Sequence, residues 1–172
     1  MLPSIYPLFD ELADAVEAQT LVLNHLAELF AAERELVIRG DAKSLWMLTR
    51  QKRELQGKLT EAAQNTEKAM TAVCEASGID REHFTMNQLP GVLIRDDSER
   101  ACVLSRRIEE LRLAANEAGE SGLRTQELLR NSAQYVGHMV KMITRVETPP
   151  QTYAGNGRLV SGAQGSSASI TL

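Results

Sequence analysis

From Ile5 to Leu36, apolar side chains return at alternating intervals of three and four: Ile5, Leu8, Leu12, Ala15, Val22, Leu26, Leu29 and Leu36. Gln19 and Glu33 break the series, and Leu21, Leu23, Phe30 and Val37 widen it. Such spacing lays one continuous apolar face along a helix. It predicts a helix over 4–39, started by Ser4 or Pro7 and ended by Gly40 in the left-handed conformation. At ~1.5 Å per residue this is a rod of roughly 50 Å. A second stripe, Leu45, Leu48, Leu55, Leu59, Ala62, Ala69, Val73 and Ala76, is broken by Lys52 and Thr66 and predicts a helix over 41–77. Asp41 can accept from the free amides of its first turn, and Gly78 closes it. The short Gly40-Asp41 link makes these two helices an antiparallel hairpin.

Residues 79–95 carry Ile79, Phe84, Met86, Leu89, Val92, Leu93 and Ile94 without a sustained period, and Leu89-Pro90-Gly91 reads as a turn. An irregular connector folding over the end of the bundle is expected there. The acidic run Asp96-Asp97-Ser98-Glu99 suits the positive end of a helix dipole and opens a third helix over 97–146. Its stripe runs through Ala101, Leu104, Ile108, Leu111, Ala115 and Ala118, then Leu129, Val136, Met139, Ile143 and Val146. Between the halves lies Gly119-Glu120-Ser121-Gly122. Two glycines cost a helix interior about 2 kcal/mol relative to alanine, so bending or fraying is expected at this patch. Beyond it the apolar face broadens, because Leu123, Leu128, Tyr135, Val140 and Met142 join Leu129, Val136, Met139 and Ile143. A helix apolar on more than one face needs a second surface. The hairpin supplies one; a partner can supply the other.

Pro149 and Pro150 cannot continue that helix. The Gly/Ser-rich run that follows has too little apolar surface to order itself. The predicted fold is therefore all-α: three long helices in an antiparallel coiled-coil-like bundle (residues 1–146), an irregular connector (79–95) and a flexible tail (147–172). One aromatic, Tyr153, stands in that tail with Gly155 and Gly157 after it. A lone ring on a tether suits capture by a partner.

Composition narrows the function. The 172 residues are 43% hydrophobic but only 4% aromatic, so the core must be built of Leu, Ala, Val, Ile and Met. The net charge is −4 with acids and bases interleaved, which leaves no basic stripe to track a nucleic-acid backbone. Cys74 and Cys102 lack metal-type spacing and read as two free thiols on helices. The amino-terminal residues lack the basic and apolar regions of a signal peptide. No apolar run approaches the ~20 residues of a membrane span, so direct membrane insertion is not expected and the location is cytoplasmic.

Catalytic and metal chemistry find no footing. None of His25, His83 and His138 stands in a Glu-x-x-His pair; Asp80 lies three residues before His83, and that single pair in a connector is too little for a metal site. No glycine-rich phosphate loop and no activated nucleophile can be assembled, so neither an enzyme nor a cofactor is expected. Arg106-Arg107 and Glu109-Glu110 read as a solvated face. Trp46 either packs against the first helix or forms a contact surface.

Two features together carry a family resemblance. Asn116-x-x-Gly119-x-x-Gly122-Leu123 leads into Leu128-Leu129, and Pro150-Gln151-Thr152-Tyr153-Ala154-Gly155-Asn156-Gly157 follows the helix. The chain resembles the FlgN-type flagellar export chaperones. It departs from their pattern in placing Ser121-Gly122 where Asn-Gly is common and Ala154 between Tyr153 and Gly155. The resemblance implies a protein that binds the C-terminal helical segments of the two hook–filament junction proteins (FlgK/FlgL type). It keeps them apart before secretion and delivers them to the export gate. It implies client binding through residues 123–146, with Leu123, Leu128, Leu129, Tyr135, Val136, Met139, Val140, Met142 and Ile143 as contacts. Tyr153, Gly155 and Gly157 are implied to dock on the cytoplasmic domain of the gate protein FlhA, with the export ATPase complex a further partner and the chaperone a monomer or weak homodimer. The competing reading is a homo-oligomeric coiled-coil scaffold.

Overall fold

The computed structural model describes residues 5–81, 84–93, 97–147, 152–153 and 159–160. Helix α1 spans Tyr6–Arg39, α2 Ala42–Ser77, α3 Leu89–Leu93 and α4 Ser98–Glu147. The fold is all-α. Pro7 occupies the second position of α1, where a missing N–H costs nothing. Gly40 (φ 69°) and Gly78 (φ 67°) end α1 and α2 in the left-handed conformation, and the Asp41 and Ile79 amides return to Leu36 and Cys74. Asp41 caps α2 by accepting the Ser44 N–H at 3.0 Å and its hydroxyl at 2.6 Å. Those bonds hold the Asp41 carboxyl below its ordinary range. Asp97 does the same before α4, accepting from the Arg100 N–H at 3.0 Å. That bond and the Arg100 guanidinium likewise lower its carboxyl.

Contacts between helices set their directions. The Thr66 hydroxyl lies 3.3 Å from the Ala15 carbonyl, and Lys52 Nζ bonds Glu33, so α1 and α2 run oppositely. Asp10 meets Arg100, Asp14 meets Arg107, and Phe30 meets Thr125, so this part of α4 runs the same way as α1. The core begins where Phe9, Leu12 and Val16 of α1 meet Met70 and Val73 of α2 and Ala101 and Leu104 of α4. Leu89 and Leu93 of α3 are sealed into the same cluster, packed about by Ile79, Phe84, Met86 and Val92. Further along, the interior thins to Leu23, Ala27, Ala114 and Ala118. Alanine lets the helices approach closely, which is how a chain so poor in aromatics still packs densely.

The breaks in the stripes turn out to be structural. Glu33 is buried, and both its carboxylate oxygens lie 2.8 Å from Lys52 Nζ, the break in the second stripe. Lys52 Nζ also stands 5.5 Å from the Phe30 ring centroid. Thr66, another break, is buried and spends its hydroxyl on the Ala62 and Ala15 carbonyls.

Three expectations are corrected and one open choice is decided. Leu89-Pro90-Gly91 is helical within α3 and not a turn, because Pro90 falls in the first turn, where no helical N–H is needed. The Gly119–Gly122 patch stays helical inside α4. Trp46, for which packing against α1 was one of two readings, is exposed. Segments Thr152–Tyr153 (β1) and Leu159–Val160 (β2) pair antiparallel, Thr152 with Val160 and Tyr153 with Leu159, where no regular structure was expected. Most of 148–172 lies outside the described residues. The chain divides into two compact units, Met1–Leu129 and Arg130–Leu172, with the boundary inside α4.

Candidate functional site

The glycine patch of α4 holds because its neighbours close around it. One guanidinium nitrogen of Arg34 donates to the Ser121 carbonyl (3.1 Å), the Ser121 hydroxyl (2.9 Å) and the Thr125 hydroxyl (3.1 Å). The Thr125 hydroxyl in turn lies 2.8 Å from the Ser121 carbonyl and 3.1 Å from the Phe30 carbonyl. The Phe30 ring lies over Gly122. A Cβ there would stand 3.2 Å from both Cε2 and Cζ. Gly119 has no such neighbour within 4 Å. Small and polar residues that look like weakness in one dimension are thus a docking point for Phe30 and Arg34. Nothing in the sequence flags Arg34 as their partner, since it lies 87 residues from Ser121.

Past this junction the apolar surface is open. Tyr135, Val136, Met139, Val140, Met142 and Ile143 are all exposed, from 43% at Met139 to 67% at Tyr135. Leu128 and Leu129 are half-buried. At about 100° per residue the six side chains from Tyr135 to Ile143 fill an arc of roughly 160°. Arg130, Gln134, His138 and Lys141 occupy the other side. Leu123, also exposed, sits with Leu26, Phe30, Gly119 and Gly122 on an apolar groove of the Met1–Leu129 unit. Six of the nine expected client contacts, those from Tyr135 to Ile143, therefore share one face.

The energetic scale of that face matters. Burying one large apolar side chain is worth about 1.5–3 kcal/mol, so six exposed ones offer a partner roughly 9–18 kcal/mol before ordering costs. This is enough to fix a helical segment that is unstructured alone.

Of the expected docking residues, Tyr153 belongs to β1, while Gly155 and Gly157 lie outside the described residues. Asn156-Gly157 between Thr152-Tyr153 and Leu159-Val160 is the hairpin signal that would have pointed to the ladder. Among the described residues no three His, Cys, Asp or Glu side chains could hold a metal ion, and His83 lies outside them. Cys74 is buried, Cys102 exposed, and both are free. No helix among the described residues is long and apolar enough to cross a membrane.

The family model for the FlgN protein matches residues 1–161, from α1 through the β1–β2 ladder. The chain belongs to the FlgN family. The FlgN proteins are flagellar export chaperones. The match takes in the exposed face of α4, Tyr153 and both strands, and ends one residue past Val160. No curated relative and no solved structure matched the chain.

Proposed function

We propose that this FlgN-family chain is a cytoplasmic chaperone for the hook–filament junction proteins of the FlgK/FlgL type. It binds their C-terminal helical segments, prevents premature association and hands them to the export gate. The observation that carries the reading is the run of six exposed large apolar side chains between Tyr135 and Ile143. Filament-forming proteins carry terminal helices that bury their apolar faces only against neighbours. A chaperone helix with its own uncovered face shields such segments by helix-in-groove or coiled-coil packing. Release is part of the task, so the affinity is moderate, about micromolar or −8 kcal/mol. Most of the gross burial energy is then consumed in ordering the guest.

Within this reading, residues 1–146 form the chaperone body and 147–172 the delivery arm. Tyr153 docks on the cytoplasmic domain of FlhA, a contact of one ring burying ~150–250 Å². It is strengthened when client and gate engage together. The export ATPase complex is a further partner.

The test replaces Leu129, Val136, Met139 and Ile143 by glutamine and measures binding of a junction protein's C-terminal fragment by calorimetry. A 1:1 complex in the parent chain, lost in the variant, is the expected result; unchanged binding would refute the assignment of the face. Tyr153→Ala should keep client binding and weaken capture on the FlhA cytoplasmic domain. Sedimentation across a wide concentration range addresses the scaffold alternative. A dimer that client cannot disturb would favour it, and a monomer or client-dissociated dimer would not.

A further inference from the structure

The outward face of α2 carries a second surface that client binding leaves unused. Helix α2 meets the core through Leu48, Thr66, Met70 and Val73. On the opposite side, Lys43, Trp46, Arg50, Arg53 and Gly57 recur at three- and four-residue intervals within an arc of about 80°. All five are exposed. Trp46, the chain's one tryptophan, is 71% exposed, leaving its large ring unburied by the chain's own fold. Arg50 reaches Glu54 at 3.6 Å across an exposed pair, and the side chains of Lys43 and Arg53 have no ion-pair partner among the described residues. Gly57 weakens the helix relative to alanine, yet a Cβ at this position would meet nothing within 4 Å. Packing inside the protein accounts for neither the tryptophan nor the glycine.

We propose that the Lys43–Gly57 face of α2 docks an acidic helical segment of another protein. Three cations set along one ridge match carboxylates repeating at the same helical spacing. Trp46 supplies the aromatic anchor, Trp and Arg being the side chains that dominate binding surfaces. Gly57 lets the incoming helix approach the α2 backbone closely. A second copy of this chain fits poorly, because a two-fold pairing of the same face sets Arg50 and Arg53 against their own counterparts. A lipid surface fits poorly too. Trp46 and Met47 offer only a narrow apolar strip, whereas interfacial helices present a broad apolar face. None of the five residues on this face is among the proposed client contacts.

Trp46 is its own reporter. The full chain is titrated with a synthetic alanine-based helical peptide carrying glutamates at alternating three- and four-residue spacing, while tryptophan emission is followed. A saturable shift of emission to shorter wavelength is expected, weakening as salt is raised. The same peptide with lysine for each glutamate should give no shift. Arg50→Glu/Arg53→Glu should weaken the acidic peptide about tenfold or more and gain binding to the lysine peptide. Circular dichroism of that variant should be unchanged, since both side chains are exposed. Absence of a shift with the acidic peptide overturns the proposal. So does an equal shift with the lysine peptide, or a shift produced only by anionic phosphatidylglycerol vesicles.

Discussion

Replacing Lys52 by methionine isolates the energetics of the buried pair between α1 and α2. Both Glu33 oxygens lie 2.8 Å from Lys52 Nζ, yet the two partners are unequally sheltered: the Glu33 side chain is 4% exposed and that of Lys52 20%. Removing the ammonium therefore strands a carboxylate that water cannot reach, which costs about 3–5 kcal/mol. Glu33→Gln is milder. The amide oxygen still accepts from Lys52, and the ammonium keeps partial access to solvent, so about 1–3 kcal/mol is expected. The double variant Glu33→Leu/Lys52→Met removes both charges at similar volume and should fall within about 1 kcal/mol of the parent, or above it. Urea unfolding followed by far-ultraviolet circular dichroism gives each free energy by linear extrapolation. For a domain of about 5–15 kcal/mol total stability, the loss in Lys52→Met is a large fraction of the whole. The expected order is Lys52→Met least stable, Glu33→Gln intermediate, double variant nearest the parent. If the double variant is as unstable as Lys52→Met, or if both single variants lose less than about 1 kcal/mol, the pair is not desolvated in solution and the reasoning fails.

Other predictions test separate parts of the chain. Gly119→Ala should raise stability by up to about 1 kcal/mol, because its Cβ enters open space, while Gly122→Ala should gain less or lose, because Phe30 must move. Thermal unfolding of the two variants ranks them. The Asp41 carboxyl is depressed by its bonds to Ser44, so its contribution is full above the unfolded carboxylate value and fades as pH falls through the folded one. The stability difference between parent and Asp41→Ala should accordingly shrink between about pH 6 and about pH 2, as read from denaturant midpoints across that range. Val136→Gln, Met139→Gln and Ile143→Gln, exposed already, should each change stability by no more than about 0.5 kcal/mol while weakening client capture.

The long helices were legible because burial imposes a three–four rhythm, and their glycine and aspartate punctuation survived translation into structure. What the sequence concealed was relational. Glu33 and Lys52 each look like a flaw in a stripe; only when the hairpin closes do the two flaws become one bonded pair. Gly119-Glu120-Ser121-Gly122 looks like a hinge until Arg34 and Phe30 arrive from far along the chain. Pro90 suggested a turn because proline breaks helices, but it sits in a first turn where it does no harm. The exposed face from Tyr135 to Ile143 was readable as an excess of apolar positions, whereas the groove that Leu123 shares with Leu26 and Phe30 needed the fold. Trp46 was left between packing and a contact surface, and the phase of α2 turned it outward.

The shared direction of α1 and α4 has a consequence for biogenesis. Hydrogen bonds between them link residues 87 to 95 apart, whereas those of α1 with α2 span 19 to 51. On a ribosome adding about 5–20 residues per second, the earlier hairpin waits on the order of ten seconds for its third helix. During that interval Phe9, Leu12 and Val16 have no α4 to cover them. A newborn chaperone is, for a moment, itself in need of one.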